Sequence, residues 1–131
     1  MNFDPNTLEQ SEIYKLLTGS IMPRPIGWVS TVDEKGINNL APFSYFNMVG
    51  DDPPHLMFST RRDNDTNKDT LNNILTNKQF VVNMVTEEVV EKMNETSQKV
   101  AAHIDEFQLV GVTPVASLKI KPMRVQESSV N

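Results

Sequence analysis

The stretch from Pro23 to Phe46 constrains this chain more than any other. Pro23 and Pro25 bracket Arg24, and a residue before proline is pushed out of the helical region, so the backbone runs extended as it enters Ile26. From Ile26 to Val32 the residues alternate, with Ile26, Trp28, Ser30 and Val32 on one face. Asp33-Glu-Lys-Gly36 has the composition of a turn, and Ile37 to Phe46 reads as a returning strand, which predicts an antiparallel hairpin. Its polar residues are unusual. A half-buried strand places apolar side chains on one face and water-loving, often charged ones on the other. Here Ser30, Thr31, Asn38, Asn39 and Ser44 are short and uncharged, which suits the close approach of a flat, hydrogen-bonding ligand better than open solvent.

Around this hairpin the pattern predicts helices and further strands. Ile13, Leu16 and Leu17 make Ser11 to Thr18 a short amphipathic helix ended by Gly19, placed to cover an open end of a sheet. Asp51-Asp-Pro-Pro54 reads as a break, His55 to Arg61 as a third strand, and Arg61 to Asn67 as a polar loop. Asp69 is a candidate N-cap for a helix through Asn77 with Leu71, Ile74 and Leu75 as its apolar stripe. Phe80 to Thr86 reads as a fourth strand and Glu87 to Ser97 as a second amphipathic helix, with acids in the first turn where the helix dipole favours them. Leu118 and Ile120 alternate with Lys119 and Lys121 in a fifth, edge-like strand. Strands returning through short loops, with helices at the ends, point to a mainly β fold, an antiparallel Greek-key barrel, and not a doubly wound sheet.

Composition narrows the function. With 131 residues, 38% of them hydrophobic, the chain suits one domain over residues 1–131. Twelve Lys and Arg against 17 Asp and Glu leave a net charge of −5, which argues against nucleic acid as a partner. There is no cysteine, so disulfides, thiolate catalysis and cysteine-held metals are excluded and any redox chemistry must come from a cofactor. Met1-Asn-Phe-Asp-Pro-Asn lacks the pattern of a signal peptide and no stretch suits a membrane helix, so a cytoplasmic location is expected. His55 and His103 stand far apart with no ligand spacing between them, and no metal is assigned. A Gly-x-Gly-x-x-Gly, Walker or Gly-x-Ser-x-Gly string is absent, which leaves a dinucleotide fold and serine hydrolysis unsupported.

The residues themselves suggest a mononucleotide site. Lys68 and Thr70 flank a helix start at Asp69, offering an ammonium, a hydroxyl and backbone N–H groups to a phosphate; the same three also suit a capped surface helix with a solvated lysine. Ser30, Thr31, Asn39, Ala41 and Ser44 could line a flat ring, or could be ordinary strand pairs. Trp28, Phe43, Tyr45, Phe46, Phe58 and Phe80 are first of all core residues, although the run Phe43, Tyr45, Phe46 beside Trp28 is more apolar strand surface than one small barrel wall needs.

Taken in order, Tyr14-Lys-Leu-Leu-Thr-Gly-Ser20, Arg24 to Thr31, Asn39 to Phe46, Lys68-Asp-Thr-Leu-Asn-Asn-Ile74, Phe80-Val-Val-Asn83 and Glu106-Phe-Gln-Leu-Val-Gly-Val-Thr-Pro114 form a joint pattern. It resembles the flavin reductase-like proteins with the FMN-binding split barrel, in their flavoredoxin-like branch. The resemblance implies a split β-barrel, a non-covalently held FMN, and transfer of hydride or electrons from NADH, NADPH or another donor to flavin or an acceptor. It further implies a homodimer with the flavin near the subunit boundary. Carried over residue by residue, the cofactor set is Ser30, Thr31, Asn39, Ala41, Ser44, Lys68, Asp69 and Thr70. Arg24 also matches, and equally suits a salt bridge. One phosphate site without a second basic cluster favours FMN over FAD. No catalytic side chain is assigned, because in such proteins the flavin carries the chemistry. A non-enzymatic FMN electron carrier, or a chain with impaired flavin binding, are the alternatives. Family members run on for several strands after the segment matching Pro122 to Val130, so Ser117 to Val130 is expected to offer an edge with Leu118, Ile120 and Val125 uncovered unless a second subunit pairs with it.

Overall fold

The computed structural model describes residues 2–60 and 66–131. The hairpin forms: β1 (Gly27–Val32) pairs antiparallel with β2 (Asn38–Phe43), Gly27 opposite Phe43 and Val32 opposite Asn38. Asp33 closes the turn, its Oδ1 accepting the N–H groups of Lys35 and Ile37 at 2.9 and 2.8 Å, while Gly36 takes a φ of +86° that a side chain would resist. On its other edge β1 pairs antiparallel with β5 (Val81–Met84), giving a three-stranded sheet in the order β2-β1-β5.

Being central, β1 is buried on both faces, Ser30 and Thr31 included. Buried hydroxyls need partners. Ser30 Oγ donates to the Met123 carbonyl at 2.6 Å and accepts from Asn83 Nδ2 at 3.2 Å. Asn83, on β5, is the junction: its Nδ2 also donates to the Trp28 carbonyl at 3.0 Å, and its Oδ1 accepts the Val125 N–H at 2.9 Å. One buried amide thus joins β5, β1 and β7 (Arg124–Val125).

Helix α2 (Asp69–Asn77) docks on this sheet by polar contacts. Thr70 Oγ1 accepts from Asn39 Nδ2 at 3.0 Å, Asn73 Nδ2 donates to Thr31 Oγ1 at 3.0 Å, and Asn77 Nδ2 donates to the Val32 carbonyl at 2.6 Å. These residues recur at helical spacing and form the face turned to the strands. The predicted stripe of Leu71, Ile74 and Leu75 is not the buried face; Thr70 and Asn73 are buried, while Leu75 is exposed. The sheet offers the helix a hydroxyl, an amide and a carbonyl, and leaving those unpaired costs more than leaving one leucine in water.

The returning strand stops short of Phe46. Phe46 instead opens β3 (Phe46–Asp51), which pairs antiparallel with β4 (Pro54–Phe58) in a second hairpin, so the predicted break at residues 51–54 is that hairpin's turn. Asn47-Met-Val-Gly50 carries no clean alternation, which is why the pattern missed β3. Gly27 makes room for it: a Cβ there would stand 2.9 Å from the Phe46 ring. Phe43, Phe58 and Phe80 pack in sequence with ring centroids 4.9 and 5.1 Å apart. Trp28, Phe43 and Phe46 are buried within the chain, whereas Met48, Val49, Leu56 and Met57 on the second hairpin are exposed. The predicted strand end at Arg61 and the polar loop through residue 65 lie outside the described residues.

Helix α1 (Gln10–Ser20) runs past Gly19 and starts at a capping box in which the Glu9 N–H donates to Glu12 at 3.0 Å. None of its residues is fully buried, and of the predicted apolar stripe Ile13 and Leu16 are half-buried while Leu17 is exposed. The helix predicted over Glu87 to Ser97 divides into a 3₁₀ turn (Glu87–Val89) and α3 (Val90–Glu95). Helix α4 (Glu106–Val110) is new, capped by Asp105 Oδ1 accepting the Phe107 N–H at 2.9 Å. Trp28 and Leu40 from the sheet meet Val89, Met93, Phe107, Val110, Val112 and Val125 in one core.

The predicted strand at residues 118–121 is a turn. Ser117 Oγ donates to the Pro122 carbonyl at 2.5 Å, a local bond, and Gln79 Oε1, from before β5, accepts the Lys121 N–H at 3.1 Å, so side-chain bonds take the place of a ladder. The turn joins β6 (Pro114–Val115) to β7, which pair antiparallel. Leu118 is 94% exposed, but Val125, predicted to be uncovered, is fully buried. Among the described residues the strands form separate sheets and no closed barrel.

Replacing Asn83 by Ala removes both donations and leaves the buried Val125 N–H unpaired. Asn83→Ala should lower unfolding stability by about 3 kcal/mol in chemical denaturation. A change within about 0.5 kcal/mol, the range of an ordinary surface substitution, would show that the junction is not needed.

Candidate functional site

A cavity of about 350 Å³ opens between the edge strand β2, the start of α2 and residues 96–100 after α3. Each wall is held by a contact that begins in the core. The Asn39–Thr70 bond ties β2 to the first turn of α2, with both residues buried. Trp28 Nε1 donates to Thr96 Oγ1 at 2.9 Å and that hydroxyl donates to the Met93 carbonyl at 2.7 Å, which fixes the opposite wall. Lys68 precedes α2 in extended conformation, its Nζ 5.6 Å from the centroid of the Phe43 ring. Asp69 is the first residue of the helix and not its cap; Lys68 holds the cap position, and its side chain makes no bond to the helix start.

Five of the predicted cofactor residues line this cavity together: Asn39, Ala41, Lys68, Asp69 and Thr70. The others stand elsewhere. Ser30 and Thr31 are fully buried, with their hydroxyls bonded to Met123 and Asn83 and to Asn73, so their side chains brace the strand and the helix behind the cavity. Ser44 Oγ accepts from Arg24 Nη1 at 2.6 Å, and the Arg24 guanidinium lies 5.7 Å from the centroid of the Tyr45 ring. That pair does not line the cavity.

The residue that sequence reasoning missed is Glu106. It is only 7% exposed, it lines the cavity, and its Oε2 accepts the Leu40 N–H at 3.2 Å on the edge of the sheet. Burial pushes its carboxyl up from 4.5 to about 7, the Leu40 bond opposes that, and the charges of Asp69 and Asp105 add to the rise. A carboxyl poised there can be neutral or charged near physiological pH, and when neutral it can donate a hydrogen bond into the cavity. The available signal was Asp105-Glu106 ahead of Phe107, Leu109 and Val110, a helix start whose second acid faces inward. Among the described residues no three metal-binding side chains gather, and no helix is long and apolar enough to cross a membrane.

The family model for the flavin reductase like domain matches residues 18–131. An uncharacterized protein of Aquifex aeolicus is 48% identical over all of this chain and 67% of its own length. The crystal structure of nitrilotriacetate monooxygenase component B from Bacillus cereus is 38% identical with a TM-score of 0.94, covering 98% of this chain and 63% of that one. A protein with a split barrel domain from Shewanella frigidimarina shares the fold, at 24% identity and a TM-score of 0.80 over 98% of this chain and 64% of that one. The chain therefore spans about two thirds of the length of these proteins.

Glu106 makes stability depend on pH. Its folded pKa lies above the unfolded value, so the folded state binds the proton more tightly and stability falls as pH rises from 4.5 to about 7. Denaturation across that window should show a loss on the order of 2 kcal/mol that Glu106→Gln removes. An identical slope in both proteins would mean that Glu106 titrates normally.

Proposed function

We propose, since this chain belongs to the flavin reductase-like domain family, that its cavity binds FMN and that it acts as an NADH- or NADPH-dependent oxidoreductase domain. The observation that carries the reading is the convergence of an ammonium, a hydroxyl and an amide from Lys68, Thr70 and Asn39 beside the apolar Ala41 and Pro42. Such a wall fits an isoalloxazine ring, which has one apolar edge and one edge of donors and acceptors, and the cavity volume falls within the range of roughly 300–1,000 Å³ usual for small ligands. Lys68 and the backbone N–H groups at the start of α2, which the Lys68 side chain does not cap, suit one phosphate. A bound flavin would supply the chemistry, taking hydride or electrons from a reduced nicotinamide and passing them to an acceptor. The chain's own contribution is to bind and orient: Asn39 and Thr70 stay fixed to each other, Lys68 supplies charge, and the wall at residues 96–100 limits water.

The purified protein should be yellow, and NADH or NADPH should bleach its visible flavin band. A protein that binds FMN but is inert to both nucleotides while light reduces it would be an electron carrier instead; one that takes up no flavin would refute the reading. Loss of a charge-assisted phosphate contact in Lys68→Ala should weaken FMN about ten- to a hundredfold, and riboflavin much less. A homodimer belongs to the same reading, and light scattering should return twice the 14.8 kDa chain mass.

A further inference from the structure

Glu106 has no part in the flavin reading above, yet it stands where an anion would feel it. It lines the main cavity and also a smaller one of about 210 Å³ that shares Asn39 and Asp69 with it. The β2 side holds it through the Leu40 N–H. Among the described residues the charged groups on the remaining sides are Asp69 on α2, Asp33 in the β1–β2 turn, Asp105 immediately before α4, and Lys68 and Lys99 on the walls of the main cavity. A carboxylate buried there adds negative charge beside the position read above as the phosphate end. In a poorly solvated wall that repulsion is weakly screened.

Resting on the flavin reading, we propose that Glu106 is the residue that sets which flavin the cavity accepts. As a neutral acid it admits the anionic phosphate of FMN beside Lys68 and Thr70. As a carboxylate it opposes that phosphate while leaving neutral riboflavin almost unaffected. By linkage, FMN that binds where Glu106 would otherwise be ionised draws a proton onto it, and the charge of the wall and of the ligand are matched. The proton goes to the Glu106 carboxyl from solvent, and no covalent bond to the flavin is made or broken.

The test is the ratio of riboflavin to FMN dissociation constants, measured by flavin fluorescence across pH. In the unmodified protein the preference for FMN should fall by about tenfold between about pH 6 and 8.5, the effect of a shift of about one pKa unit on binding. In Glu106→Gln, which keeps an acceptor for the Leu40 N–H, the fall should be absent. The phosphate's own second ionisation, near pH 6, adds ligand charge as pH rises in both proteins alike, so the comparison with Glu106→Gln separates it from the carboxyl. A ratio that is constant or rises in the unmodified protein, or falls equally in both proteins, overturns the proposal. Calorimetry of the unmodified protein at neutral pH, in buffers of different ionisation enthalpy, gives a check that needs no variant: FMN should bind with proton uptake and riboflavin without it, and equal uptake for both overturns the proposal. No affinity for FMN at any pH would sink the flavin reading itself, and this inference with it.

Discussion

The burial of β1 on both faces is the constraint from which the rest of the structure follows. A strand with neighbours on both edges and covered on both faces cannot leave hydroxyls or amides to water, so Ser30 and Thr31 must find partners inside the protein. Asn83 answers for one face, using both ends of a single amide to satisfy Ser30, Trp28 and Val125. Asn73 answers for the other, and in doing so fixes where α2 lies. The packing of this sheet is therefore specified by matched polar groups as much as by apolar volume.

The same network builds the cavity. Thr70 and Asn73 lie three residues apart on α2, so the helix that pairs with Thr31 through one also pairs with Asn39 through the other. That second bond sets the first turn of α2 against the edge of β2 and puts Lys68 and Asp69 into the cavity wall. Trp28, in the core, reaches the opposite wall through Thr96. A change in the sheet is felt at the site because side chains in one hydrogen-bonded network do not act independently.

Glu106 occupies the remaining gap. Among the described residues strand β2 is the edge of its sheet, and the buried Leu40 N–H is taken by Glu106 there. A carboxylate would satisfy that donor well but suffers from burial and from two neighbouring acids; a neutral acid accepts the same bond without the charge. One side chain thus serves the stability of the edge and places a titratable group in the cavity. The flavin reductase-like relatives share the fold over nearly the whole of this chain, which spans about two thirds of theirs.

Much of the fold was legible because it is local. The prolines around Arg24, the Asp33–Gly36 turn and the alternation through β1 determined the first hairpin, and helical spacing determined α2 from Asp69 to Asn77. Order along the chain was enough to mark the family, and Asn39, Ala41, Lys68, Asp69 and Thr70 as neighbours of one site. Periodicity could not say which face of α2 is buried, since Thr70, Asn73 and Asn77 are as regular as Leu71, Ile74 and Leu75, and only the groups on the facing strands choose between them. Nor could it separate Ser30 and Thr31, braced inside, from Asn39 at the cavity, or find β3, whose residues do not alternate. The role of Glu106 was hidden for the same reason: burial raises its pKa, Asp69 and Asp105 add to the rise and the Leu40 bond opposes it, and those surroundings exist only once the chain is folded.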